Sequence, residues 1–350
     1  MSYSVEIAGR PVGPGHEPYV ICELSGNHNG SLDRALELLE AAAATGADAV
    51  KIQSYTPDTI TIDHDGPGFR IDGGLWGGRT LYDLYSEAQT PFEWHKPLFD
   101  KARALGVTLF SSPFDPSAVD LLESLGAPAY KIASFEAVDL PLIARVARTG
   151  KPMIISTGMS NLGEISDAVR TARANGCNEL ILLHCVSSYP APDEDSNVRT
   201  VPHLGQAFGC VSGLSDHTFG SAVAVASIAL GGAVVEKHFT LRRADGGPDA
   251  AFSLEPEEFK ALVEDCKRAW RALGRVTYDL QGSERGSAVF RRSLYAVADI
   301  SEGEALTEAN VRSIRPGFGL PPKHLPEVLG KRAARDIARG TPLARDLIRG

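Results

Sequence analysis

The stretch Ala233–Thr240 passes from small and β-branched apolar residues into charged and ionisable ones. Such a run is typical of a buried parallel strand that carries functional groups at its carboxyl end. Because side chains on a strand alternate between faces, Glu236 and His238 should point the same way. The preceding strand-like run, Val211–Thr218, leads into His217. Neighbouring strands lie about 4.8 Å apart, so we expect His217 and His238 to reach one divalent metal ion.

The other strand-like runs also end in polar groups, and these groups are of complementary kinds. Lysines among clustered hydroxyls suit a phosphate or a carboxylate. A metal ion held by two histidines keeps open positions and can polarise a carbonyl group, which makes Glu23 a candidate acid or base. Each residue has an ordinary structural explanation, and only their joint position at strand ends indicates a site. From strand one to strand seven the groups are Glu23, Asn27, His28 and Asn29; Lys51 and Gln53; Ser111 and Ser112; Lys131, Ser134 and Glu136; Ser156 and Thr157; His184, Ser187, Ser188 and Tyr189; Ser215, Asp216 and His217.

These residues indicate a metal-assisted reaction on a phosphorylated or carboxylated substrate, and two alternatives stay open. A Schiff-base aldolase could use Lys51 or Lys131 and would need no metal. A non-catalytic sugar-binding protein would not need inward lysines together with a pair of histidines.

Eight apolar runs alternate with helical patterns, mostly at intervals of two to three dozen residues. This alternation predicts an α/β fold of the (β/α)8 TIM-barrel type, with the site at the carboxyl ends of the strands. An open doubly wound sheet is the competitor, but the glycines after the first run lack its phosphate-binding spacing. The runs are Tyr19–Ser25, Ala49–Ser54, Val107–Ser112, Ala129–Ser134, Met153–Thr157, Leu180–Cys185, Phe208–Ser215 and Ala233–Phe239.

Two segments interrupt this rhythm. Tyr55–Thr90 is glycine-rich and too long for a simple connection after strand two, so we expect a functional loop over the active face. Tyr278–Arg292 is polar and reads as a linker. The predicted domains are therefore a catalytic barrel at 1–278, a linker at 279–292 and a small, mostly β domain at 293–350.

The bulk composition limits the classes of partner. A net charge of −9 without a basic run argues against nucleic-acid binding, and no apolar stretch is long enough to span a membrane. The N-terminus lacks the pattern of a signal peptide. The five cysteines show no zinc-knuckle spacing. They are expected to be reduced core residues of a cytoplasmic protein.

Several motifs, in order along nearly the whole chain, resemble the sialic acid synthase family. The barrel motifs are ELSGNHNGS (23–31), YKIASFE (130–136), ISTGM (155–159), LHC (183–185), YP (189–190), GLSDHT (213–218) and EKHF (236–239). The tail motifs FRRSLY (290–295) and RPG (315–317) resemble the family's C-terminal antifreeze-like (SAF) domain. The resemblance implies condensation of phosphoenolpyruvate with an N-acetylated amino sugar, with Mn2+ or Mg2+ as cofactor and release of phosphate.

The resemblance also assigns roles to positions of this sequence. His217 and His238 match the metal ligands, and Glu23 matches the catalytic carboxylate. Arg315 matches an arginine that reaches the sugar's N-acetyl group from the partner subunit, which implies a domain-swapped homodimer. The positions that match the phosphoenolpyruvate site are Lys51, Ser112, Lys131, Ser134, Ser156 and Ser215, and those on the sugar side are Gln53, Glu136, Tyr189 and Asp249.

Within the family, the segments 80–85 and 90–95 and the residues after Glu23 resemble the pseudaminic acid synthase branch; N-acetylneuraminate and legionaminate synthases are the rivals. Ser187 stands where neuraminate synthases often have Asn, which favours a different sugar. A 6-deoxy, diacetamido sugar is apolar at one end, and Phe69, Leu75 and Trp76 of the long loop are candidates to meet it.

Overall fold

The computed structural model describes residues 3–350 and divides into two compact units, the first ending at Gly274 and the second running from Arg275 to Gly350. The strands are β1 (Val5–Ile7), β2 (Arg10–Val12), β3 (Tyr19–Glu23), β4 (Ala49–Ser54), β5 (Thr108–Pro113), β6 (Tyr130–Ile132), β7 (Met153–Ser156), β8 (Leu180–Cys185), β9 (Val211–Asp216), β10 (Val234–His238), β11 (Ser293–Ala296), β12 (Val311–Ile314), β13 (Arg332–Ala333) and β14 (Ile348–Arg349). The helices are α1 (Leu32–Ala44), α2 (Pro57–Ile60), α3 (Leu81–Ala88), α4 (Phe92–Leu105), α5 (Pro116–Ser124), α6 (Leu140–Ala147), α7 (Leu162–Ala174), α8 (Thr200–Phe208), α9 (Ala222–Ala229), α10 (Pro256–Leu273) and α11 (Leu325–Val328).

Strands β3 to β10 of the first unit form a closed barrel in which each strand pairs with the next and β10 pairs with β3. All eight pairings are parallel. The predicted (β/α)8 barrel is therefore confirmed and the open sheet is wrong. The predicted runs agree with the strands to within a few residues, because strands buried on both faces are continuous apolar runs.

Two apolar layers hold the barrel together. Side chains such as Leu38 and Leu39 of α1 pack between the strands and the surrounding helices. A second cluster fills the amino-terminal end of the barrel, where the hairpin β1–β2 adds Val5, Ile7 and Val12. The hairpin thus closes this end, and the carboxyl ends of the strands are left as the accessible end.

Local signals fix where the helices begin and end. Ser31 accepts a hydrogen bond from the backbone N–H of Arg34 at the start of α1, and Asn161 and Glu164 form a capping box at the start of α7. Helix α4 ends at Gly106, whose φ of 69° suits a residue without a Cβ atom. Within residues 3–350, each helix is too short or too polar to cross a bilayer.

Two regions are more ordered than the sequence indicated. The loop after β4 contains α2, α3 and a 3₁₀ turn at Gly74–Trp76, which many glycines obscured. Helix α8 was not predicted, because Pro202 and Gly205 interrupt a segment with only Val201 and Leu204 buried. The long connection at residues 55–90 is therefore made of short folded elements, and we refer to it below as the cover.

The second unit has its own core and two short antiparallel sheets, β11–β12 and β13–β14. Leu294, Ile300, Leu306, Val311 and Leu343 lie at the centre of this core. The segment predicted as a linker falls within this unit and forms 3₁₀ turns at Gly282–Phe290. The domain boundaries proposed from the sequence stay a prediction.

Candidate active site

Strand register brings the polar groups to one level at the carboxyl end of the barrel. In the ladder, His238 is paired with Glu23, and Glu23 with Lys51. On the other side of β10, Glu236 is paired with Ser215. Successive strands therefore place these buried side chains in one ring, as parallel barrels do.

Two buried lysines share one buried carboxylate at the floor of the site. Lys131 Nζ lies 3.0 Å from Glu236 Oε1, and Lys51 Nζ lies 3.5 Å from the same oxygen. Lys51 also contacts Glu23 Oε2 at 2.6 Å and donates to Ser112 Oγ at 3.2 Å. Two ammonium groups this close are tolerated in the protein interior because the carboxylates compensate them.

This arrangement shifts the pKa of Glu236 and of both lysines. Burial opposes ionisation of Glu236, but Lys131 and Lys51 outweigh burial and hold its pKa below the ordinary value. Burial lowers the pKa of Lys131, and Glu236 offsets only part of that effect. For Lys51 the two carboxylates outweigh burial, so its pKa is raised. The floor therefore holds two ammonium groups whose charges the carboxylates balance, and ammonium groups can bind the oxygens of an anion.

The two histidine rings lie next to each other, with centroids 5.3 Å apart. His217 Nδ1 is 2.9 Å from the backbone oxygen of Val186, and its ring is buried. His238 Nδ1 is buried without a hydrogen-bond partner and lies 3.7 Å from Asp249 Oδ2. The structure thus brings together the pair that the sequence singled out.

The donor set fits a divalent cation. Burial and the neighbouring cationic groups lower the pKa of His238 well below its ordinary value, which keeps the ring neutral as a metal ligand must be. Burial alone would lower the pKa of His217, but the neighbouring Cys185 outweighs burial, and the net pKa is raised. Within residues 3–350, no three His, Cys, Asp or Glu side chains are grouped to hold a metal ion. Two protein ligands would leave positions for substrate and water.

The carboxylate of Glu23 is fixed through both oxygens. Gln53 Nε2 donates to Glu23 Oε1 at 2.9 Å, while Oε2 faces Lys51. The same amide donates to Ser25 Oγ at 3.3 Å, and Ser25 in turn donates to Asp249. Burial raises the pKa of Asp249 to about 6, and the hydrogen bond from Ser25 opposes this rise. These four side chains form one hydrogen-bonded chain.

A cavity of about 530 Å³ opens above this ring of residues. One wall is polar and contains Glu136, whose pKa burial raises to about 7. Another wall is apolar and comes largely from the cover after β4, with Trp76 held by a hydrogen bond from Nε1 to the backbone oxygen of Pro248 at 2.8 Å. Apolar residues of this wall include Ile60, Ile71, Leu81 and Leu84.

Most residues singled out from the sequence line this cavity. Ser112 lies beneath it, where it accepts the hydrogen bond from Lys51, and Arg315 lies in the second unit. Phe69 instead packs against His64, with ring centroids 5.0 Å apart, and Leu75 is 49% exposed. Of the three loop residues, Trp76 is therefore the one on the cavity wall. The lining residues from the predicted set are Glu23, Lys51, Gln53, Lys131, Ser134, Glu136, Ser156, Tyr189, Ser215, His217, His238 and Asp249.

Sequence reasoning gave no role to three residues that the structure places in the site. Glu236 bridges the lysines, and its alternation with His238 was the available signal. Ser25 lines the cavity and joins two carboxylate-bearing segments that are far apart in sequence. Cys185 also lines the cavity; burial would raise its thiol pKa, but His217 lowers it to about 7.

The sequence of this chain matches two known family models. The model of the NeuB family matches residues 38–278, and that of the SAF domain matches residues 291–349. A pseudaminic acid synthase of Helicobacter pylori is 45% identical over 94% of this chain and 97% of its own length. An N,N'-diacetyllegionaminic acid synthase of Campylobacter jejuni is 36% identical over 91% of this chain and 96% of its own.

The same architecture occurs among solved structures. That of an N-acetylneuraminic acid synthetase from Leptospira borgpetersenii in complex with citrate superposes with a TM-score of 0.73. The two share 28% identity, and the match covers 82% of this chain and 95% of that one.

Proposed function

Because the chain belongs to the NeuB family, we propose that it is a pseudaminic acid synthase. It condenses phosphoenolpyruvate with 2,4-diacetamido-2,4,6-trideoxyaltrose and water, and it forms a nine-carbon 2-keto acid and phosphate. The observation that carries this proposal is that the buried pair Lys51 and Lys131 and the paired rings of His217 and His238 line one cavity. The 45% identity to a pseudaminic acid synthase favours this sugar over those of the sister enzymes.

The lysines supply the site for phosphoenolpyruvate. Lys51 and Lys131 are buried, positively charged groups among hydroxyls, and such groups bind phosphate and carboxylate oxygens. Glu236 holds the two ammonium groups together and is itself compensated by them. The same charges stabilise negative charge that develops as the carbon–carbon bond forms. The hydroxyls of this proposed site are those of Ser112, Ser134, Ser156 and Ser215.

We assign the metal site to His217 and His238, with Mn2+ or Mg2+ as the cation. The chemistry that such a cation supplies when bound is polarisation of the sugar's aldehyde carbonyl. His238 offers a neutral, buried nitrogen without a hydrogen-bond partner. Val186 fixes the orientation of the His217 ring through its backbone oxygen.

Glu23 is placed to move a proton. Gln53 and Lys51 fix both oxygens of its carboxylate at the boundary between the lysine floor and the histidine pair. In the overall reaction, C3 of phosphoenolpyruvate bonds to the aldehyde carbon, water adds at C2, and the C2–O bond to phosphate breaks. Glu23 handles a proton in the first or the second of these steps.

The apolar wall supports a 6-deoxy sugar. Trp76, Leu81 and Leu84 present hydrocarbon to the cavity, where the terminal methyl group of such a sugar gains from contact with apolar surface. A sugar with hydroxyl groups at that end would leave them without hydrogen-bond partners. Gln53, Glu136, Tyr189 and Asp249 are the polar groups proposed to orient the rest of the sugar.

We also propose a homodimer in which Arg315 of one chain contacts the sugar bound to the other. The support is the match of residues 291–349 to a SAF domain together with the family motif around Arg315. We place the enzyme in the cytoplasm, because its five cysteines are buried free thiols, as expected in a reducing compartment. Recovery of the protein outside the cytoplasm on cell fractionation would contradict this location.

One experiment tests the reaction class. Phosphoenolpyruvate labelled with 18O in its bridging oxygen is incubated with the sugar and Mn2+, and phosphate and keto acid are analysed by mass spectrometry. We expect the label in phosphate, and we expect turnover to stop on chelation and to return with added Mn2+. Label in the keto acid would reject cleavage of the C2–O bond, and turnover after full chelation would reject the metal site. A lysine adduct trapped by borohydride would instead indicate the aldolase.

A further inference from the structure

Ser25 occupies a backbone conformation that serine rarely adopts. The backbone N–H of Asn27 donates to the oxygen of Leu24 at 3.2 Å, which closes a turn immediately after β3. Ser25 is the first central residue of this turn and has a φ of 48°. Turns with a positive φ at this position favour glycine, because a Cβ atom costs free energy there. A serine at this position therefore needs an explanation outside the turn itself.

The neighbouring glycine does have a local explanation. A Cβ atom on Gly26 would lie 2.9 Å from Cβ of Ala88 in α3, so the close approach of the cover requires glycine at that position. Gly26 therefore has no room for a side chain, whereas the side chain of Ser25 is accommodated and is only 4% exposed. The hydroxyl group is then the feature that distinguishes Ser25 from the glycine that the turn would favour.

Both hydrogen-bonding capacities of this hydroxyl are used inside the cavity. Ser25 Oγ donates to Asp249 Oδ2 and accepts from Gln53 Nε2 at 3.3 Å. Gln53 donates in turn to Glu23 Oε1 at 2.9 Å, and Asp249 Oδ2 lies 3.7 Å from His238 Nδ1. One side chain thus connects the carboxylate beside the lysines with the carboxylate beside the histidines.

We infer that Ser25 is a positioning residue, whose strained backbone is retained because its hydroxyl sets the relative orientation of Asp249 and of the Gln53–Glu23 pair. This inference rests on the proposed function, since it assigns Ser25 to the same reaction. Strained backbone at a functional site is a known means of pre-organisation. Hydrogen bonds to charged groups are strong enough to fix a carboxylate in one orientation.

Three single substitutions separate the hydroxyl from the backbone. Ser25→Gly removes the hydroxyl and relieves the backbone, Ser25→Ala removes the hydroxyl and keeps the strain, and Ser25→Thr keeps the hydroxyl on a less suitable residue. We expect kcat to fall about ten- to a hundredfold in both Ser25→Gly and Ser25→Ala. In Ser25→Thr, kcat should stay within about threefold of the wild-type value. We expect the Tm to depend on the backbone conformation instead. The Tm of Ser25→Gly should exceed that of Ser25→Ala, and the Tm of Ser25→Thr should lie below that of wild type.

The route of the effect is tested by combining Ser25→Ala with Gln53→Ala. If Ser25 acts through Gln53, its substitution costs clearly less in the Gln53→Ala background than in wild type. The KM for the sugar should change more than that for phosphoenolpyruvate, since the hydroxyl does not contact the lysines. A Gly variant with wild-type kcat and KM, or Gly and Ala variants whose activities differ as their Tm values do, would overturn the inference.

The outcome for Ser25 can be separated from that for the proposed function. The whole series is assayed with whichever amino sugar the wild-type protein converts best. The identity of that sugar tests the proposed function, while the ratio of variant to wild-type activity tests Ser25. If Ser25→Thr does not fold, the Gly and Ala variants still decide between hydroxyl and backbone.

Discussion

At the scale of single residues, the site depends on ionisable groups that are buried away from water. Lys51, Lys131, Glu23 and Glu236 compensate one another within a few ångströms. Their charges are held ready for an anionic substrate, so little reorganisation is needed when charge develops. A buried ionisable group that lacks such compensation should make the free energy of unfolding depend on pH.

Glu136 is that group, because burial raises its pKa from 4.5 to about 7. A carboxyl group whose pKa is raised on folding favours the folded state below its unfolded pKa and loses this contribution as pH rises through the folded value. We therefore predict that wild type loses about 2–3 kcal/mol relative to Glu136→Gln between pH 4.5 and pH 8. Denaturant unfolding of both proteins across this range measures the difference. Parallel pH profiles for the two proteins would show that Glu136 ionises normally.

At the scale of elements, the cover after β4 supplies much of the apolar lining of the cavity. The 3₁₀ turn at Gly74–Trp76 is held to the barrel by the hydrogen bond of Trp76 to Pro248. The ring of Trp76 also lies 5.7 Å from that of Tyr189, which faces the histidines. Trp76 thus connects the cover to the aromatic rings beside the histidines.

We predict that Trp76→Ala raises the KM for the sugar tenfold or more and leaves the KM for phosphoenolpyruvate within about twofold. The reason is that Trp76 belongs to the apolar lining of the cavity, while Lys51 and Lys131 are held by carboxylates and a hydroxyl group. Leu75→Ala is the matched control, since the neighbouring side chain is 49% exposed. Steady-state kinetics, with each substrate varied in turn, measures the two KM values. Equal effects of the two substitutions would remove Trp76 from the sugar site.

The elements also show how far the sequence could lead. The barrel strands are predictable because parallel strands buried on both faces are long apolar runs, and the pairing of His217 with His238 follows from adjacent strand ends. The bridge from Lys51 and Lys131 to Glu236 was not predictable, because it joins strands β4, β6 and β10, which are not neighbours in the barrel. Helix α8 was missed because its Pro and Gly are compensated by tertiary packing. The strain at Ser25 is a φ value, which residue types do not show.

At the scale of the whole molecule, the second unit is the part whose proposed role depends on assembly. Arg315 lies in this unit, and we propose that it acts in the partner's site. We predict that Arg315→Ala raises the KM for the sugar about tenfold without changing the oligomeric mass. Arg312→Ala, an exposed arginine three residues earlier, is the control. Light scattering gives the mass and kinetics give the KM; a monomer, or an unchanged KM, would argue against the swapped arrangement.

We propose that this barrel joins phosphoenolpyruvate to a 6-deoxy diacetamido sugar. The most direct test compares kcat/KM for three sugars at saturating phosphoenolpyruvate, by phosphate release: the 2,4-diacetamido altrose-type sugar, the matching mannose-type sugar and N-acetylmannosamine. We predict that both 6-deoxy diacetamido sugars exceed N-acetylmannosamine by at least about a hundredfold, since its terminal hydroxyl group would go unpaired against the apolar wall, and that the altrose-type sugar has the highest value. A lead for N-acetylmannosamine, or equal values for all three, would contradict the account.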